Sequence, residues 1–230
     1  MDSSTWLIKD DRINLYAYFS EVLLFYIIWW TIYNTVSMLV LNKALFKRLP
    51  KEKRIEGKTR IVSSIYAIIL TTASACYLLK FIDYESWIQF FPMSSAFGLF
   101  DVTIITINYR CFEKVYLLTC LHHFIVVFGP LTVTPEYSAL ISQSCISDAT
   151  VPLIDISWYL YNAKLSNTLI FKLNSTLAII VFFILRVVNS CYLSYEIIWH
   201  DNIILMCFSF VYLTLNIYWF KGLVGMYLRT

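Results

Sequence analysis

The chain has 230 residues, of which 59% are hydrophobic and only 14% charged, against roughly 45–50% and about 25% in soluble domains. With 17 Phe, 17 Tyr and 7 Trp and a mean hydropathy of +0.67, it carries more apolar surface than a compact soluble fold of this size buries, and it is too apolar to stay disordered. The net charge of +3 is too small to suggest a nucleic-acid partner, and the composition implies an all-α integral membrane protein.

A hydrocarbon core about 30 Å thick needs roughly 20 apolar residues in a helix that rises about 1.5 Å per residue. In chain order seven stretches qualify: Val22–Leu41, Ile61–Leu79, Phe90–Tyr109, Val115–Thr134, Tyr137–Tyr161, Leu173–Tyr195 and Asn202–Phe220. The third is interrupted by Asp101. The fifth is the most polar, diluted by Ser142, Gln143, Ser144, Ser147, Asp148, Thr150 and Asp155. Such a segment survives in lipid only when neighbouring helices shield it. The start of the chain lacks a basic n-region, and its first apolar run is too long for a cleaved signal, so that run is expected to remain as a helix.

Basic residues fix the orientation. Lys43, Lys47, Arg48, Lys51, Lys53, Arg54, Lys58 and Arg60 fall between the first two spans. Arg110, Lys114, Lys164, Lys172, Lys221 and Arg229 follow on the same side, against Lys9, Arg12 and Lys80 on the other. This alternation predicts a lumenal or extracellular N-terminus and a cytosolic C-terminus. Residues 1–60 then form an N-terminal span with a basic cytosolic loop, and residues 61–225 a six-helix membrane domain. The loop at 43–60 sets topology, and its eight cations also suit anionic lipid head groups. Cys76, Cys111, Cys120, Cys145, Cys191 and Cys207 show no paired spacing, which argues against a disulfide framework and a metal site. No motif calls for a cofactor.

A charge in hydrocarbon costs at least about 2.5 kcal/mol, so the intramembrane ionisable residues carry the information. They are Asp101, His122, His123, Asp148, Asp155 and Arg186. Counted from the basic helix ends, Arg186 and Asp148 lie at matching depths of about 20 Å. His122, Asp101 and Asp155 form a layer nearer the cytosol. Ser144, Asp148, Val151 and Asp155 share one helical face, and Pro152 removes a hydrogen bond to the carbonyl of Asp148, predicting a kink there. An Asp148–Arg186 pair at mid-membrane is expected, with His122 and Asp155 facing an internal polar cavity below it. That pair serves either as bundle glue or as part of a site. His123 points about 100° away from His122, so the two do not chelate one metal. Asn216 is either a site residue or interhelical glue.

Leu121-His-His-Phe, then Asp148-Ala-Thr-Val-Pro152-Leu-Ile-Asp155-Ile-Ser-Trp158, then Phe182-Phe-Ile-Leu-Arg186 and Asn216-Ile-Tyr-Trp-Phe-Lys221 occur in that order. The set resembles the TLC domain of translocating-chain-associating proteins, Lag ceramide synthases and CLN-type proteins, over roughly residues 60–225. It departs from the ceramide synthases, because Ser147 precedes Asp148 and Val151 stands where they carry a second Asp. The resemblance implies a small TLC-type bundle in the endoplasmic reticulum. Its function would be to bind or regulate membrane lipids through His122, His123, Asp101, Ser144, Asp148, Asp155, Arg186 and Asn216. Two alternatives stand beside it. One is a ceramide-synthase-like acyltransferase or lipid hydrolase, acting on acyl-CoA or a sphingolipid with His122 as base and Asp155 or Asp148 to orient it. The other is a non-catalytic structural or cargo-binding subunit with a membrane-protein partner.

Overall fold

The computed structural model describes residues 15–41, 49–112, 116–129, 134–199 and 202–228, the side chains of 36–41 and 111 excepted. The charges at Lys9, Arg12, Lys43, Lys47, Arg48, Lys114, Asp201 and Arg229 lie outside the described residues. Within them the chain is helical, with no strand. The helices are α1 (Leu15–Leu41), α2 (Lys51–Leu78), the short α3 (Tyr84–Ile88), α4 (Phe91–Ile107), the short α5 (Tyr109–Phe112), α6 (Tyr116–Phe128), α7 (Ser138–Ile146), α8 (Thr150–Asn162), α9 (Leu169–Phe182), α10 (Asn189–Ile198) and α11 (Ile203–Tyr227).

Five helical segments are long and apolar enough to cross a membrane: Leu15–Thr35, Lys51–Leu78, Tyr84–Ile107, Leu169–Ile198 and Ile203–Tyr227. The other two expected spans correspond to shorter pieces. Among the described residues α6 has 13. The polar stretch that includes Tyr137–Tyr161 is built from a 3₁₀ turn at Pro135–Tyr137, α7, a second 3₁₀ turn at Ser147–Ala149, and α8. The irregularity therefore falls at Asp148 itself, upstream of Pro152. That proline sits in the first turn of α8, where its missing N–H costs least. The basic segment is also more ordered than a loop, since residues 51–60 form the first turns of α2.

Large apolar side chains stand on the surface, and several charged and polar ones are buried beside the apolar core. Leu23, Leu24 and Ile27 of α1, Leu169, Ile170 and Leu173 of α9, and Ile203 and Ile217 of α11 are exposed. Asp101, His123, Asp155, Arg186 and Asn216 are buried. Lipid-facing positions gain nothing from polarity, whereas polar groups survive inside by pairing across helices. Serines supply much of that pairing. Tyr18 bonds Ser95 at 2.7 Å, Ser95 donates to the Val127 carbonyl at 2.9 Å, and Tyr66 bonds Ser94 at 2.8 Å. Asn174, part of an Asn-Ser-Thr sequence, donates to the Leu153 carbonyl at 2.8 Å and so ties α9 to α8.

The aromatic core lies between α1, α2 and α4. Trp29 is edge-on to Phe97 at 5.8 Å, and Tyr66 stacks flat on Phe97 at 3.9 Å. Side-chain oxygens close several helix starts: Asp83 accepts from the Ser86 N–H at 2.9 Å, and Asn202 from Leu205 at 3.1 Å. The hydrogen bonds from Ser86 hold the Asp83 carboxyl below the usual carboxylate range.

Gly98 sets the approach of α4 to α6. A Cβ there would stand 2.8 Å from the Val127 side chain and 3.4 Å from Val126. Gly222 on α11 has nothing within 4 Å of its Cβ position. We expect Gly98→Ala to destabilise by about 1–3 kcal/mol, read as a lowered unfolding midpoint in detergent, while Gly222→Ala does not lower it. Equal midpoints for the two variants would contradict the close packing of α4 on α6.

Candidate functional site

The polar residues converge around Arg186. It lies in a π-helical turn, Phe183–Val188, that joins α9 to α10 and rotates the side chain inward. Its Nη2 donates to Asp148 Oδ1 at 2.8 Å. Nε donates to Thr150 Oγ1 at 2.8 Å and to the Ser147 carbonyl at 3.3 Å, and Nη1 reaches Asn216 Oδ1 at 3.4 Å. Asn216 in turn donates to Ser190 Oγ at 2.9 Å, and Ser190 donates to the Arg186 carbonyl. The last contact is the i to i−4 back-bond that serines and threonines make within helices. The 3₁₀ turn at Ser147–Ala149 matches the π turn by presenting Ser147, Asp148 and Thr150 to one guanidinium. Ser147 also bonds the hydroxyl of Tyr212.

A second charged layer surrounds Asp155. Arg60 Nη1 donates to its Oδ1 at 2.7 Å and Ser64 to its Oδ2 at 2.7 Å. Arg60 also bonds Glu56 at 2.9 Å, and Lys53 bonds Glu56 at 2.8 Å. The guanidinium of Arg60 sits over the Trp158 ring, 5.1 Å from its centroid. Sequence reading places Arg60 in a loop as a topology charge. Its place 95 residues before Asp155 hides the pairing, and continuation of helical periodicity back through 51–60 is the signal that would have revealed it.

The two histidines differ. His123 is buried, and its Nε2 is hydrogen-bonded to Asp101 Oδ2 at 2.6 Å. His122 is held by rings instead, with Tyr212 stacked at 6.2 Å and Trp219 edge-on at 5.2 Å. Its Nδ1 is buried without a hydrogen-bond partner among the described residues. The carboxylate next to a histidine is thus Asp101 on His123. Of the two carboxylates expected to orient His122, Asp155 spends both oxygens on Arg60 and Ser64, and Asp148 accepts from Arg186.

These layers wall a cavity of about 880 Å³. His122, His123, Asp101, Asp148, Asp155 and Arg186 all line it, together with Phe97, Phe182 and Trp219. Glu56, Arg60, Lys221 and Gly222 line the end that carries the basic helix termini. α2 and α11 therefore contribute walls as well as the segments from Phe90 to Tyr195. Ser144 instead lines a second, mainly apolar chamber of about 140 Å³, with Leu70, Ile141, Leu193 and Phe208. Tyr66, His122, Val126 and Asp148 belong to both spaces. Asn216 lines neither; it is fully buried against Arg186 and Ser190. No group of three or more metal-ligating side chains occurs among the described residues.

No protein-family model matches the chain, and no curated protein or solved structure is similar to it.

Two outcomes check this geometry. Asp148→Asn is expected to cost about 3–5 kcal/mol, the range for stranding one partner of a buried ion pair, and Asp148→Asn/Arg186→Gln to recover at least half of that loss. A single variant as stable as wild type would refute the pairing. His123→Phe, which strands Asp101, should lower the unfolding midpoint strongly. His122→Phe keeps the ring stack and removes an unpartnered nitrogen, so its midpoint should not fall.

Proposed function

We propose that this chain is a seven-span membrane protein of TLC type that binds a membrane lipid inside its helix bundle. The single observation that carries the reading is the 880 Å³ cavity. Its size falls within the roughly 300–1,000 Å³ range of ligand sites, and its lining combines aromatic faces with a few fixed polar groups. A bundle meant only to be rigid has no use for such a space, because unfilled volume forfeits packing.

In this reading the shorter α6 and the broken α7–α8 segment cross the bilayer inside the bundle, shielded by the five longer apolar helices. The basic ends of α2 and α11 face the cytosol by the positive-inside rule, so the cavity is reached from the cytosolic leaflet. The basic residues of 43–60 hold anionic head groups beside it. Assignment to the endoplasmic reticulum and to lipid homeostasis follows from the TLC resemblance alone.

A second reading, acyl transfer or acyl hydrolysis at His122, has one observation in its favour. The imidazole of His122 lines the cavity. The lack of a carboxylate bonded to His122 weighs against it, since a general base needs its tautomer fixed. Turnover of acyl-CoA by the purified protein, abolished in His122→Ala, would put this reading first.

The test of the first reading uses the open space at Gly222. Gly222→Trp should fold normally while placing an indole in the cavity. Native mass spectrometry of wild-type protein extracted from membranes is expected to show a retained lipid, and Gly222→Trp to lose most of it. A wild-type protein that carries and takes up no lipid would rule the reading out.

A further inference from the structure

Resting on that reading of the cavity, we propose that the bound molecule is an amphiphile with an anionic head, a carboxylate or phosphomonoester held by Lys221, whose hydrocarbon tail runs inward toward His122. The argument is the pairing state of each charge on the cavity wall. Asp148 is paired with Arg186 at 2.8 Å, Asp155 with Arg60 at 2.7 Å, and Glu56 with both Arg60 at 2.9 Å and Lys53 at 2.8 Å. Asp101 is bonded to His123 at 2.6 Å. Each of these wall carboxylates already has a partner, which for Asp101 is a histidine and for the others a Lys or Arg cation.

The cations are unequal. Arg60 directs Nε, Nη1 and Nη2 at carboxylates, and Arg186 commits all three of its nitrogens to Asp148, Thr150, Ser147 and Asn216. Lys221 lines the cavity at its basic end and has no ion pair or hydrogen bond among the described residues. The neighbouring Gly222, with nothing within 4 Å of its Cβ position, leaves room beside the ammonium. A lysine at a helix end ordinarily extends toward lipid phosphates at the membrane surface. Here the same side chain, although exposed, also borders the cavity. Three N–H donors on a flexible stem suit a carboxylate or a phosphate without imposing the planar geometry that arginine demands. Deeper in, Phe97, Val126, Val151 and Phe182 give the wall an apolar character suited to a chain.

The experiment compares three ligands with one oleoyl chain: oleate, oleoyl lysophosphatidate and neutral monoolein. Each competes with a fluorescent fatty-acid probe on the full-length protein in nanodiscs of neutral phosphatidylcholine. Wild type is expected to bind at least one anionic ligand about tenfold more tightly than monoolein, the scale of one charge-assisted hydrogen bond. Whichever anion gains identifies the head group. Lys221→Gln should remove the gain while leaving monoolein affinity unchanged, and Lys221→Arg should retain most of it. Lys172→Gln serves as the control and should bind like wild type, since Lys172 is exposed as Lys221 is but does not line the cavity. Lys221→Gln binding anions as tightly as wild type would overturn the assignment, as would an equal loss in Lys172→Gln, which signals diffuse surface attraction. If all three ligands fail to compete, the cavity reading itself fails; if monoolein competes and charge makes no difference, only the anionic head is lost.

Discussion

The structure depends on one guanidinium placed where lipid cannot solvate it. An arginine within a membrane bundle must have its donors matched or the segment does not stay inserted. Arg186 meets that demand through Asp148, Thr150, Ser147 and Asn216, contributed by the α7–α8 segment and by α11. Both breaks in helical regularity follow from it. The π turn at Phe183–Val188 aims the side chain inward, and the 3₁₀ turn at Ser147–Ala149 brings a carboxylate, a carbonyl and a hydroxyl within its reach. Four elements are thereby fixed in register by a network that tolerates little displacement, because buried hydrogen bonds weaken steeply when misaligned.

Around this hub two further polar pairs bridge separate elements. Arg60 and Asp155 join α2 to α8, and Asp101 and His123 join α4 to α6. Apolar helices in lipid have no hydrophobic drive to associate, so polar contacts and close backbone approach must hold the bundle together. Gly98, pressed against Val126 and Val127, supplies the close approach for α4 and α6. The Asp101–His123 hydrogen bond beside it supplies the polar contact. Ser94, Ser95 and Ser142 repeat the device at the far end, donating to or bonding groups on adjacent helices without adding charge.

How much of this was legible in the sequence depended on the range of the signal. Long apolar runs announced the five long segments, because span length is a local property. The matching depths of Asp148 and Arg186 made them natural partners, since each is an isolated charge at mid-span. Ser144, Asp148, Val151 and Asp155 lined up by simple helical spacing, although the 3₁₀ turn divides that face between the two chambers. What stayed hidden was long-range or rotational. Which histidine meets Asp101 depends on the rotation of α6, and sequence spacing leaves that angle free. The 51–60 segment reads as a loop because its charges obscure a helix that runs on into the span. Tyr66, Tyr212 and Trp219 looked like any membrane aromatic until packing placed them against His122 and the cavity.

An 880 Å³ space inside a bundle loses dispersion contacts and would be closed by larger side chains if nothing opposed them. Two features of the wall oppose closure. Small side chains recur along it, with Thr59, Ser63, Thr119, Gly222 and Gly225 at positions where a leucine would intrude. The charged pairs also resist collapse, because pressing an apolar residue against Arg60–Asp155 or Arg186–Asp148 would strip solvation without offering a hydrogen bond. An occupant with both polar and apolar parts meets neither objection. On the lipid-binding reading proposed above, such an occupant would meet the ring-held His122 at the boundary between the two chambers.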